Sequence, residues 1–144
     1  MRTMSDEEYR VFMAHGTRTA KAKAASTRPD GRPHITPVWF VLDGDDLIFT
    51  TRETSLKAID LRRDPRICLC VDEETPPFDY VMFEGVVTLS EDLKELRRWA
   101  KAIGGRYMGA ARAEEFGKRN GVSGELLVRV KPIRVLARAD IAGY

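Results

Sequence analysis

Three strand-like stretches, residues 17–27, 33–42 and 47–51, follow one another with only short turns between them. The first turn is Arg28-Pro29-Asp30-Gly31-Arg32, with Asp-Gly as the hairpin signal, and the second is Asp43-Gly44-Asp45-Asp46. Strands joined this tightly must be antiparallel, because a parallel pair needs a crossover of a dozen or more residues. Strands are expected again at 66–71, 79–89 and 124–137, which brings the total to six. Gly85 marks a bulge or bend in the fifth, and Lys131-Pro132 interrupts the last, as on an edge strand or at a bulge.

Helical signals fall between these strands. Ser5 caps a helix over 6–15 that ends at Gly16, with Tyr9, Phe12 and Met13 on one stripe. A short helix over 55–63 stops at Asp64-Pro65, since a residue before proline resists the α region. A longer helix starts near Ser90 and carries Leu93, Leu96, Trp99, Ala100 and Ile103 on one side, with Gly104-Gly105 as its expected end. Another runs from 110 to 119 and stops at Asn120-Gly121. No βαβ rhythm emerges. The expected class is mainly β with α: a small six-stranded antiparallel barrel with peripheral helices, formed by residues 1–144 as a single domain.

The charge balance narrows the function. Lys and Arg total 24 against 22 Asp and Glu, a net charge of +2, so the basic excess is too small to argue for nucleic acid. No apolar run is long enough to span a membrane, and the first residues hold no apolar signal core, so a cytoplasmic protein is the expectation. Cys68 and Cys70 alternate along a strand with no further ligands nearby, which reads as small buried apolar residues and no metal site.

Residues 50–66, Thr-Thr-Arg-Glu-Thr-Ser-Leu-Lys-Ala-Ile-Asp-Leu-Arg-Arg-Asp-Pro-Arg, carry the clearest chemistry. They leave the apolar strand Leu47-Ile48-Phe49 and become a helix whose start is crowded with hydroxyls and cations. A helix N-terminus presents unpaired N–H groups, and hydroxyls and cations complete an anion cradle, most often for phosphate. Thr54 or Ser55 is the expected N-cap. Lys57 falls in the first turn, where a cation opposes the helix dipole unless an anion is bound. Arg52 adds a second cation upstream.

Several separated motifs occur in order: Pro33-His34-Ile35-Thr36-Pro37-Val38-Trp39-Phe40, Asp43-Gly44, Ile48-Phe49-Thr50-Thr51, Ser55 with Lys57, Asp64-Pro65-Arg66, Phe83 to Leu89, and Arg106-Tyr107-Met108-Gly109. Together they resemble the split β-barrel flavin and deazaflavin oxidoreductases, the pyridoxamine 5′-phosphate oxidase-like superfamily. The resemblance is strongest to the branch that binds the deazaflavin coenzyme F-420, typical of actinobacteria. It spans roughly residues 5 to 140 of the sequence. It implies the FMN-binding split-barrel fold, a homodimer with a cofactor groove between the two barrels, and hydride transfer between F-420 and a small-molecule substrate. FMN is the alternative cofactor, since both use the same groove, and a non-catalytic F-420 carrier is the alternative to an enzyme.

The resemblance also implies a set of site residues. Thr51, Ser55 and Lys57, with Thr50 and Arg52, surround the phosphate; Thr36, Pro37 and Val38 line the polar edge of the ring; Arg106 and Met108 reach the groove of the other subunit. Tyr107 is a weak candidate for proton donation. Trp39 either stacks near the ring or fills the barrel. Lys21 and Lys23 share a strand face that is either solvated or turned toward the cofactor. Neither His15 nor His34 sits in a catalytic pattern, and no nucleophile elbow or glycine-rich dinucleotide loop is present.

Overall fold

The computed structural model describes residues 1–16 and 21–143. Its elements are β1 (Arg2–Thr3), α1 (Asp6–Val11), β2 (Ala22–Thr27), β3 (Pro33–Val38), β4 (Val41–Asp43), β5 (Asp46–Arg52), α2 (Leu56–Arg63), β6 (Arg66–Asp72), β7 (Tyr80–Ser90), α3 (Leu93–Met108), α4 (Ala113–Asn120) and β8 (Glu125–Ala139). The start of the expected first strand, residues 17–20, lies outside the described residues.

All pairings are antiparallel, in the order β3-β2-β6-β7-β8-β5-β4, with β1 also on β8. The described residues therefore form eight strands where six were expected. One addition is β1, a two-residue strand held where Arg2 bonds Glu8 at 2.8 Å and Asp140 at 2.6 Å. The other arises because the stretch 33–42 breaks at Trp39-Phe40 into β3 and β4. Those two strands sit at opposite ends of the hydrogen-bonded order, yet only two residues join them. Three peptide steps span at most about 11 Å. The sheet must therefore curl until its ends meet, with no ladder closing the seam, which is a split barrel.

Alternation then fills the interior. Phe40, Leu47, Phe49, Leu69, Val71, Val81, Phe83 and Val128 form the core of the barrel. Ile48 and Leu127 point outward and pack with Leu96 and Trp99 of α3, so the middle of β5 and the start of β8 are buried on both faces. Of the stripe expected on α3, Leu96, Trp99, Ala100 and Ile103 are buried, while Leu93 in the first turn is exposed. Asp92 caps this helix by accepting from the amides of Lys94 and Glu95. Cys68 and Cys70 are half-buried rather than buried, because Ile67, Leu69 and Val71 take the inward positions of β6.

Of two expectations about chain breaks, the one at Gly104-Gly105 is corrected and the one at Pro132 is borne out. α3 continues through Gly104 and Gly105 to Met108, and the chain reverses at Gly109, whose φ is +94°. β8 is nonetheless continuous for 15 residues; β5 pairs with its residues 125–130 and β1 with 138–139, so Pro132 has a strand partner only in β7 and is on an edge there. The register also slips there, as the sequence suggested: Glu84 faces Arg134 and Gly85 faces Pro132, leaving Ile133 as the extra residue of a bulge. A Cβ on Gly85 would stand 2.4 Å from the Lys131 carbonyl oxygen, so only glycine fits opposite this bulge.

Candidate functional site

The C-terminal ends of β3 and β5 and the first turn of α2 converge beside the seam. Pro37, Val38 and Trp39 from the first, Thr50, Thr51 and Arg52 from the second, and Lys57 from the third line a groove of about 290 Å³, completed by Ile103 of α3, Asn120 of α4 and Glu125 of β8.

The strand-to-helix turn builds one end of the groove from hydroxyls and open amides. Ser55 is the N-cap of α2, and its Oγ accepts from the Ala58 amide at 3.2 Å. Thr51 Oγ1 lies 2.9 Å from Ser55 Oγ and fixes that hydroxyl from the strand side. The amides of Leu56 and Lys57 have no acceptor within the helix, as the first-turn amides of any α-helix do not. No acidic residue occupies this first turn, and Arg62 and Arg63 occupy the last, so the helix ends favour an anion at the groove. Lys57 is half-buried and forms no ion pair among the described residues; burial lowers its pKa from the ordinary lysine value. An unpaired, partly desolvated ammonium is stabilised by an anion brought to it.

Behind the helix, a buried brace holds its angle. Asp60 accepts from Ser26 Oγ at 3.3 Å and pairs with Arg63 at 3.4 Å, while Arg63 also donates to the Thr27 carbonyl. This ties α2 to β2. Arg52 pairs across the sheet with Glu125 at 3.4 Å; Arg52 is 70% exposed and Glu125 only 8%. Burial pushes the Glu125 carboxyl above its ordinary pKa, and Arg52 opposes that rise.

Five of the expected phosphate residues thus meet at one place: Thr51 and Ser55 are bonded to each other, and Thr50, Arg52 and Lys57 line the same groove. Pro37 and Val38 line it as well. Thr36 lies one residue further back on β3, and its Oγ1 is buried with no partner among the described residues. Trp39 takes neither the core nor a solvent position. It lines the groove, and its ring stacks on Tyr107 at 5.0 Å and 13°, with Phe116 at 5.9 Å.

Arg106, Tyr107 and Met108 occupy the last turn of α3 behind Trp39, not a loop after the helix. Tyr107 Oη accepts from the Phe40 amide at 3.3 Å. Burial raises its pKa above the ordinary tyrosine value. Arg106 donates to the Phe40 carbonyl at 3.1 Å and stands 4.3 Å over the Phe40 ring, with Nε and one terminal nitrogen buried and unpartnered among the described residues. Both side chains thus hold the backbone where β3 breaks into β4. Met108 is half-buried and does not line the groove. Lys23 is paired with Asp72, and Lys21 is exposed.

Three groove residues escape a reading of the sequence. Local pattern marks Ile103 only as core and Asn120 only as a helix stop. The one signal for Glu125 is a charged residue opening the apolar run Leu126-Leu127-Val128.

The pyridoxamine 5′-phosphate oxidase family model matches residues 7–138, nearly the whole chain. The chain belongs to the pyridoxamine 5′-phosphate oxidase family. Among solved structures with this fold, a conserved hypothetical protein from Mycobacterium tuberculosis is 28% identical over 98% of this chain and 89% of its own, with a TM-score of 0.83. An F-420 reductase superposes with a TM-score of 0.66 at 22% identity, covering 82% of this chain and 90% of the reductase. The heme storage protein HutZ of Vibrio cholerae gives 0.71 at 17%, covering 95% and 96%. The last two similarities show the fold alone. No curated protein matches the chain. No described helix is long and apolar enough to cross a membrane.

Proposed function

We propose that this protein is an oxidoreductase of the pyridoxamine 5′-phosphate oxidase family that uses coenzyme F-420, whose phosphate lies at the N-terminus of α2. The observation that carries this reading is Lys57: a half-buried cation in a first helical turn, with no ion-pair partner among the described residues, beside the Thr51–Ser55 hydroxyl pair. These residues fit a phosphate. The similarity to an F-420 reductase supports the choice of cofactor.

A bound deazaflavin supplies the hydride chemistry. The protein supplies position and environment. Lys57, the open amides of α2 and the two hydroxyls hold the phosphate; Val38, Trp39 and Ile103 give the groove its apolar lining. Arg106 and Tyr107 fix the backbone at Phe40 and the plane of Trp39.

A second reading, a carrier that binds the cofactor without turnover, draws support from the similarity to a heme storage protein. Side-by-side titrations with F-420 and FMN test the cofactor; tighter binding of F-420 than of FMN is expected, and the reverse order moves the protein to FMN. Oxidation of reduced F-420 with a panel of quinones and enones separates enzyme from carrier, because a carrier binds the cofactor and turns over none of them.

A further inference from the structure

Glu125 is the one groove residue whose charge works against an anion, and its place is built. It opens β8 opposite Arg52 in the β5–β8 register, it is 8% exposed, and its Oε1 meets Arg52 at 3.4 Å. The charged side chains lining the groove are Arg52, Lys57 and Glu125; Asn120 is neutral. A buried carboxylate in the same groove as two cations repels any anion that joins them, and the repulsion scales with the charge the anion brings. A phosphomonoester carries close to two charges above pH 7, because its second pKa is about 6. A phosphodiester carries one.

We infer that Glu125 is a specificity-determining residue that sets the groove against phosphomonoesters and in favour of phosphodiesters. This rests on the reading that the groove binds a cofactor phosphate. It sharpens that reading, since F-420 carries its phosphate as a diester and FMN as a monoester. Without Glu125 the two cations and the α2 N-terminus would hold the doubly charged ligand more tightly; with it, the gain from the second charge is reduced.

The test uses three probes at pH 8: F-420, FMN and the monomethyl ester of FMN, which differs from FMN in phosphate charge and one methyl group. In the Glu125→Gln protein, dissociation constants are expected to fall about ten-fold for FMN and about three-fold for the methyl ester and F-420, because doubling the ligand charge doubles the energy and squares the ratio. Glu125→Asp, which keeps the charge, is expected to retain the wild-type order. Equal gains for monoester and diesters, or no gain, overturn the role of Glu125 while leaving the cofactor site standing. Failure of the wild-type protein to bind any of the three overturns the site itself, and the role of Glu125 with it. Should the glutamine variant not fold, Glu125→Met carries the same expectation.

Discussion

At the scale of single residues, Lys57 shows how a local conflict marks a site. A lysine at this position lowers the stability of its own helix, and burial lowers its pKa further. Both penalties are relieved once an anion is held. Replacing it with alanine is therefore expected to weaken F-420 binding at least ten-fold, about 1.4 kcal/mol, while the fold tolerates or welcomes the change. Isothermal titration with a parallel thermal melt would read both effects; an unchanged dissociation constant would remove the phosphate from this helix. The conflict is legible in the sequence, because the strand end, the capping serine and the lysine all fall within one short stretch of chain. The role of Glu125 is not legible there, since its partner Arg52 lies 73 positions away and only the β5–β8 register brings them together.

At the scale of elements, the α3–α4 corner explains why Gly104-Gly105 does not end a helix. The two glycines have different jobs. A Cβ on Gly104 would stand 2.4 Å from Phe116 Cβ, whereas one on Gly105 would meet only Ala113 Cβ at 3.5 Å. Gly104 lacks a side chain so that α4 can cross closely, and Gly121 does the same against Arg97, where an added Cβ would fall 2.6 Å from its Cα. Gly104→Ala is expected to destabilise the protein by about 1–3 kcal/mol through overpacking. Gly105→Ala is expected to be neutral or to stabilise by up to about 1 kcal/mol, because alanine is the better helix former. Paired urea melts compare them, and equal midpoints for the two variants would contradict this account of the corner. Local rules read both glycines as a stop, because they contain no information about what crosses the helix.

At the scale of the whole molecule, the outer face of the sheet carries Ile35 at 63% exposure and Ile133 at 72%, bulky apolar side chains on the solvent side of β3 and β8. We propose that this face pairs two copies, as the family resemblance implies. Light scattering is expected to return twice the 16.3 kDa mass of the chain; a monomer at micromolar concentration would rule the pairing out. Ile133→Lys, at the bulge and outside the barrel core, is expected to shift the mass toward the monomer, since a buried charge at an interface costs several kcal/mol when unpaired.

Antiparallel order, the positions of the hairpins, most of the apolar stripe of α3 and the capped, lysine-bearing start of α2 were all determined by the sequence, because each rests on neighbours within a few residues: a turn pair, a helical period, a cap. The tertiary structure alone decided where β3 breaks, and that Arg106 and Tyr107 brace Phe40 from within a helix. It also decided that a carboxylate joins Arg52 and Lys57 in the groove. These depend on contacts between residues dozens of positions apart, and such contacts exist only once the sheet has curled its two ends together.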